Sequence, residues 1–300
     1  MNDGLDVQQT PPHDLAAVTR LLVGYNSAAA LREFAATAPD DLKTLVVDNA
    51  SRDDTLGVAR ALGYRTLPLP ANYGYGGAIM RGLKAIETEL VLIANPDVRV
   101  GRPAVLTLLD AARRYAEADV FVPAIRKPDG AAFFRFESRF EPRATRREIP
   151  SGDACIRTLS GAAMLVRRRQ FLEHGFDPRI FLYFEDDDIG IAYGRQQRAI
   201  VYIPDAVVQH GGDASSARSR ATEDLKALSF GWSWGYVMRK HDLGDVATAR
   251  RSAMLKLVGA LMTLRFERAR RQRLVIEGLD RFASGAPAPY LPPDAGDASP

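Results

Sequence analysis

Cysteine is nearly missing from this chain: Cys155 is the sole one among 300 residues. One thiol excludes an intrachain disulfide and any multi-cysteine metal site, and it fits a reducing compartment. Long apolar runs are missing too. No stretch approaches the roughly 18 apolar residues that a membrane-spanning helix needs. The opening MNDGLDVQQTPPHD has no basic start followed by an apolar run, so it does not read as a secretory signal. These absences lead us to expect a cytoplasmic protein, one still able to touch the inner face of a cell membrane. A large excess of one charge is also lacking. The net charge is +3, which gives no reason to expect a nucleic-acid partner. There is no internal repeat, no Walker-type G-K-[ST] and no serine in a G-x-S-x-G elbow.

What is present is an ordinary apolar fraction, 46%, enough for one large core. Strand and helix patterns alternate from Val18 onward. Strands read at 18–23, 44–47, 64–67, 90–94 and 119–122, with helices running to about 38, from a Ser51 cap to 62, to about 87, and over 103–117. Such alternation indicates a mostly parallel sheet with helices on both faces, an α/β fold. The second half is less regular. It reads as an edge strand at 133–136, a buried strand at 159–166, a short helix before Gly175, a helix from Glu185 to about Gln197, and a strand at 200–203 ending near Pro204. Helices follow over about 218–241 and 246–277. The expected division is a loose tail at 1–16 and a catalytic domain at 17–240, with halves 17–123 and 124–240. A helical extension at 241–283 and a second loose tail at 284–300 complete it.

In such sheets ligands bind beyond the carboxyl ends of the strands. Asn26, Asp48 and Asp97 fall there. Asp97, in Asn95-Pro96-Asp97, can hold a divalent cation on a diphosphate, or it can simply form an Asx-Pro turn. Asp48 can accept the N3–H of a uracil or thymine ring, or cap the next helix. Glu185 to Asp188 place four acids in succession. Residues 100° apart cannot all face one cleft, so one or two can supply a general base while the rest favour the helix start. His210, ahead of two glycines, can complete a metal site with Asp97 or be a bystander. The segment 72–77 is Gly-rich, but the third glycine of G-x-G-x-x-G would fall at Ile79, so a dinucleotide fingerprint is absent.

Seven segments in order resemble family 2 glycosyltransferases, in particular their rhamnosyltransferase-like branch. They are VGYNS, VVDNASRDDT, NYGYGGA, LIANPDV, LSGAAMLVRR, FDPRIFLYFEDDDIG and VYIPDAVVQHGG, and they cover about residues 18–240. The resemblance implies a GT-A fold, an inverting single displacement and a Mg²⁺ or Mn²⁺ cofactor. It also implies a UDP- or dTDP-sugar donor and a saccharide or lipid-linked saccharide acceptor in cell-surface polysaccharide assembly. It assigns Tyr25, Asn26, Asp48, Asn72, Gly74, Gly77, Asn95 and Asp97 to the nucleotide-sugar. Asp97 and His210 go to the metal, and Ser160, Gly161, Ala162 and Glu185 to the acceptor. Asp186 becomes the base, with Asp188 as its rival. Asn95 stands where the metal motif's first acid would be. Two other readings stay open: a degenerate sugar-binding scaffold, and a sugar nucleotidyltransferase, which would want a basic Gly-rich loop after the first strand. Arginines cluster at 143–147, 167–169 and 265–273. The last cluster follows an apolar stretch, so the final helix can lie on an anionic membrane, pack on the catalytic domain or meet a dimer mate.

Overall fold

The structure, a computed structural model, describes residues 15–34, 37–133, 138, 140, 148–211 and 219–294. Arg143, Arg146 and Arg147, Gly212 and most of the strand expected at 133–136 lie outside them.

The strands are β1 (Val18–Gly24), β2 (Thr44–Asp48), β3 (Arg65–Pro68), β4 (Leu90–Ala94), β5 (Val98–Arg99), β6 (Val120–Arg126), β7 (Ala132–Phe133), β8 (Ala154–Ile156), β9 (Ala163–Arg167) and β10 (Ile200–His210). The helices are α1 (Ala28–Phe34), α2 (Thr55–Ala61), α3 (Gly74–Lys84), α4 (Arg102–Arg114), α5 (Arg168–His174), α6 (Glu185–Gln196), α7 (Arg220–Lys240), α8 (Val246–Met262) and α9 (Phe266–Ala283). One sheet runs in the order β3-β2-β1-β4-β9-β6-β10-β5, with β7 paired to β6 and β8 to β10. The pairs β3/β2, β2/β1, β1/β4 and β6/β10 are parallel. β9 runs antiparallel to both β4 and β6 and joins the two parallel groups. The sheet is therefore mixed, and its Rossmann-like part is the β3–β4 half. The division expected at 123/124 falls inside β6.

Every residue of β1 is buried, as are all five of β2. Strands covered on both faces need such near-continuous apolar runs. One core packs Leu22, Leu31, Val46, Leu92, Leu108 and Phe121 on one face. The other packs Leu21, Leu45, Ile79, Leu83, Ile93 and Met164. Each such side chain contributes on the order of 1.5–3 kcal/mol of transfer free energy. The strand ends are level where they matter: Gly24 pairs with Asp48, and Leu22 with Ala94.

Several local expectations change. The Gly-rich segment is no loop, since Gly74, Gly76 and Gly77 form the first turn of α3. Ser51 does not cap α2; its hydroxyl accepts from the Asn26 backbone N–H at 2.9 Å. β9 begins at Ala163 because residues 160–162 turn towards the strand ends. β10 passes through Pro204, with a register shift between Ile203 and Val207 that spares the sheet a missing donor. The final helical stretch breaks at Thr263–Arg265, where Leu264 takes a φ of 54°. Residues 284–294, expected to be loose, fold back on the domain. The Trp232 indole donates to the Ala286 carbonyl at 2.9 Å, and the Tyr73 hydroxyl to Asp294 at 2.7 Å. No helix among the described residues is long and apolar enough to cross a membrane.

Candidate active site

A cavity of about 330 Å³ lies where the carboxyl ends of β1, β2 and β4 meet the start of α6. The strands contribute Val23, Tyr25, Ser27, Asn49, Asn95 and Pro96 to its wall, and the α3 start contributes Asn72, Gly74 and Tyr75. Gly161 and Ala162 line it from the turn before β9, and Phe181, Leu182, Tyr183, Glu185 and Asp186 from the approach to α6. Thr222, Leu225 and Lys226, from the first turns of α7, close it.

Asn49 ties the floor together. Its side-chain amide donates to Asn72 Oδ1 at 2.8 Å and to the Gly74 carbonyl at 3.0 Å, and its oxygen accepts from the Tyr73 N–H at 2.9 Å. Gly74 has a φ of 74°, and a Cβ there would sit 1.9 Å from the Phe181 carbonyl oxygen. Only glycine fits. That close approach lets the Tyr75 N–H donate to the Phe181 carbonyl at 3.1 Å and docks the start of α3 on the segment leading to α6.

Tyr183 and Phe184, with φ values of 69° and 68°, are both left-handed immediately before α6. Bulky residues rarely adopt this conformation, and such strain gathers at functional sites. It sets the phase of α6 so that Glu185 and Asp186 face the cavity. Asp186 Oδ1 accepts from the Gly161 N–H at 3.1 Å. A Cβ on Gly161 would press on the Tyr75 ring at 2.9 Å and on Asp186 Oδ1 at 3.1 Å, so this contact also needs glycine. The Ala162 carbonyl accepts from the Asn95 N–H at 2.9 Å. The 161–162 turn thus joins the Asn95–Asp97 segment to Asp186, 89 residues away from Asp97 by numbering.

Glu185 Oε2 is buried without a hydrogen-bond partner among the described residues. Burial, then the charge on Asp186, push its carboxyl from 4.5 up to about 8. A raised folded pKa means that the folded chain holds a proton which the unfolded chain has released. Stability therefore falls as pH rises from about 4.5 to about 8. Glu185→Gln removes that titration. Its melting temperature relative to wild type should rise by a few degrees between pH 6 and pH 8, read by calorimetry. An unchanged difference would mean that Glu185 is already ionised at pH 6.

Asp188 does not face the cavity. It is 2% exposed; its Oδ1 lies 2.6 Å from His241 Nε2, and Oδ2 accepts from Lys240 Nζ at 2.7 Å. Lys240 also reaches Asp177 at 2.8 Å, which binds Arg179 through both oxygens and accepts from the Tyr236 hydroxyl. Burial pushes the Asp177 carboxyl up, but Arg179 and Lys240 outweigh it and hold it well below the usual carboxylate range. This network pins the back of α6. Asp188 is two helix positions from Asp186, so it points to the opposite side.

Asp97 is fully buried at the end of the β4 turn. β5 follows it directly and pairs antiparallel with β10, placing His210 opposite Val98. His210 Nε2 is then 3.7 Å from Asp97 Oδ1, and the Phe133 ring stacks on the imidazole at 6.0 Å. A carboxylate suits Mn²⁺ or Mg²⁺, and the added imidazole favours Mn²⁺ over Mg²⁺, which takes oxygen ligands. No third His, Cys, Asp or Glu joins them among the described residues. The Tyr75 hydroxyl donates to the Gly161 carbonyl. Burial, then the charges of Asp186, Glu185 and Asp97, push its phenol well above the ordinary value. One side chain therefore feels all three carboxylates.

Of the residues singled out from the sequence, Tyr25, Asn72, Gly74, Asn95, Gly161, Ala162, Glu185 and Asp186 line the cavity. Seven others do not: Asp97 and His210 sit together behind Asn95 and Pro96, outside the cavity wall, and five more serve elsewhere. Asn26 Oδ1 caps the Arg52 N–H at 2.7 Å and so braces two loops. Gly77 is buried inside α3, against Tyr73. The Ser160 hydroxyl accepts from the Ala162 N–H at 3.3 Å and shapes the turn instead. Asp188 serves the network just described. Asp48 lies beneath Asn49, receiving the Ser51 N–H on Oδ2 at 3.3 Å. Sequence reasoning passed over Tyr75, Asn49 and the α7 wall. Tyr75 is flanked by glycines, the one available signal; α7 gave none.

A family model described as glycosyl transferase family 2 matches residues 22–175. An N-acetylglucosaminyl-diphospho-decaprenol L-rhamnosyltransferase of Mycobacterium tuberculosis is 34% identical over 215 residues, covering 60% of this chain and 70% of that protein. The structure of GalNAc-T7 with UDP, GalNAc and Mn²⁺ superposes with a TM-score of 0.55 at 12% identity, over 89% of this chain and 56% of that one. The mannosyltransferase PcManGT of Pyrobaculum calidifontis, in complex with GDP-Man and Mn²⁺, gives 0.54 at 15% identity, over 89% and 87%. The fold is GT-A, with helices added at the C-terminus.

Proposed function

Since the chain belongs to glycosyl transferase family 2, we propose that it moves a sugar, rhamnose, from a dTDP- or UDP-donor onto a lipid-diphosphate-linked saccharide with inversion. The observation that carries this reading is the turn at 161–162, which ties Asp186 to Asn95 at one cavity, with Asp97 buried two residues further on. Asp186 takes the proton from the acceptor hydroxyl as its oxygen attacks the anomeric carbon. The nucleotide leaves on the opposite side, towards Asp97 and His210. These two residues would hold the divalent cation, which when bound offsets the negative charge of the departing diphosphate. Tyr75, neutral at working pH, fixes the 161–162 turn through its hydroxyl. Glu185 keeps a proton near neutrality and so leaves a single full charge to act as base.

The pyrimidine nucleotide rests on the resemblance and not on Asp48, whose carboxylate is buried outside the cavity wall. The lipid-linked acceptor and the rhamnose rest on the mycobacterial relative. The experiment is direct. The chain, Mn²⁺, an N-acetylglucosaminyl-diphospho-lipid and either dTDP-rhamnose or UDP-sugars are combined, and the product anomer is read by NMR. Transfer from dTDP-rhamnose with inversion is expected. Retention would remove the single displacement, and inertness towards every donor would favour a sugar-binding scaffold.

A further inference from the structure

We infer that the outer face of α8 and the α8–α9 turn rest on an anionic phospholipid bilayer. α8 is apolar on two sides. Its small residues Ala249, Ala253 and Ala260 are buried. Leu257 packs inward with them, but five large ones face outward: Leu255 is 74% exposed and Met262 80%, with Met254, Val258 and Leu261 beside them at helical spacing. The patch continues past the helix end through Leu264 and Phe266, 72% and 67% exposed. Leu264 holds a left-handed φ of 54° at the tip, where the chain turns into α9. Solvated turns favour polar residues or glycine in that conformation. A contiguous exposed patch of this kind marks an interaction surface.

Charge identifies the occupant. Residues 254–273 hold one lysine, five arginines and a single acid, a net +5 in a chain whose total is +3. The acid, Glu267, is already paired with Arg270 at 3.0 Å. Arg265, Arg268, Arg271 and Arg273 are exposed and have no acidic partner among the described residues. A second copy of the chain would bring the same positive patch against itself across a two-fold interface, which is repulsive. Anionic headgroups satisfy both requirements: the arginines meet phosphate while the leucines, methionines and phenylalanine enter the acyl boundary. The surface also lies near the cavity. Arg270 of α9 pairs with Asp224 of α7, next to Leu225 and Lys226, which line the cavity wall. A membrane under α8 and α9 would present a lipid-borne acceptor from that side.

This inference stands independently of donor and acceptor identity, because its readout is binding and not turnover. The full chain is floated with phosphatidylcholine vesicles, with and without about 30 mol% phosphatidylglycerol, at low and high salt. The chain should float with the anionic vesicles only, and less at high salt. Leu264→Asp with Phe266→Asp should lower the partition by at least about tenfold. Each of Arg265→Gln and Arg268→Gln should lower it by about fivefold. All four positions are exposed, so the melting temperature should stay within a degree or two of wild type. Flotation that ignores lipid charge, variants that float like wild type, or a dimer in light scattering that Leu264→Asp with Phe266→Asp splits, would each overturn it.

Discussion

Asp186→Asn should transfer sugar about 10²–10⁴-fold more slowly than wild type while folding normally and binding donor nucleotide unchanged. Asparagine has the same shape, and its side-chain oxygen can still accept the Gly161 N–H that holds Asp186 at 3.1 Å. The 161–162 turn, and with it Asn95, should stay in place. What disappears is the capacity to take a proton. The loss should therefore fall on kcat, with KM for the donor nearly constant. Glu185 substitutes poorly, because burial, the larger cause of its raised carboxyl, persists when the Asp186 charge is gone. Asp188 cannot substitute, since it is committed to Lys240 and His241 behind the helix. A variant that turns over at the wild-type rate would remove Asp186 as base.

Asp97→Ala should abolish Mn²⁺-dependent donor binding, weakening it by more than about 100-fold, beyond what loss of an outer partner of a metal ligand costs. The imidazole of His210, 3.7 Å from Asp97 Oδ1, would be left as the sole protein ligand. The alanine variant also leaves a small void in a fully buried position, so Asp97→Asn is the better control for shape. Both variants should lose the metal dependence, while only alanine should lower the melting temperature appreciably. Wild-type nucleotide affinity in both would place the diphosphate elsewhere.

The half from β1 to β4 was legible because its signals are local. β1 and β4 are apolar runs with few polar interruptions, and the residues closing them are turn formers. Asn26, Asp48 and Asp97 were placed correctly at strand ends, but a strand end does not reveal side-chain direction, so Asn26 became a brace and Asp48 a buried acceptor. The four acids of α6 show the limit clearly. Helical geometry states that they diverge, yet which ones face the cavity depends on the phase set by Tyr183 and Phe184, whose left-handed conformations no local pattern announces. The break at Leu264 has no glycine or proline to mark it, and so 246–277 read as one helix. The α7 wall depends on tertiary docking alone. The reversed direction of β9 was equally silent, because a short buried strand looks the same in either orientation.

The account rests on two carboxylates with separate duties, Asp186 in the cavity wall and Asp97 buried behind Asn95 and Pro96, and calorimetric titration of UDP and dTDP tests this most directly. Each nucleotide is titrated, with Mn²⁺ and without, into wild type, Asp186→Asn and Asp97→Asn. The account predicts Mn²⁺-dependent binding that is equal in wild type and Asp186→Asn, and lost in Asp97→Asn. Equal losses in the two variants, or binding indifferent to both Mn²⁺ and Asp97, would contradict it.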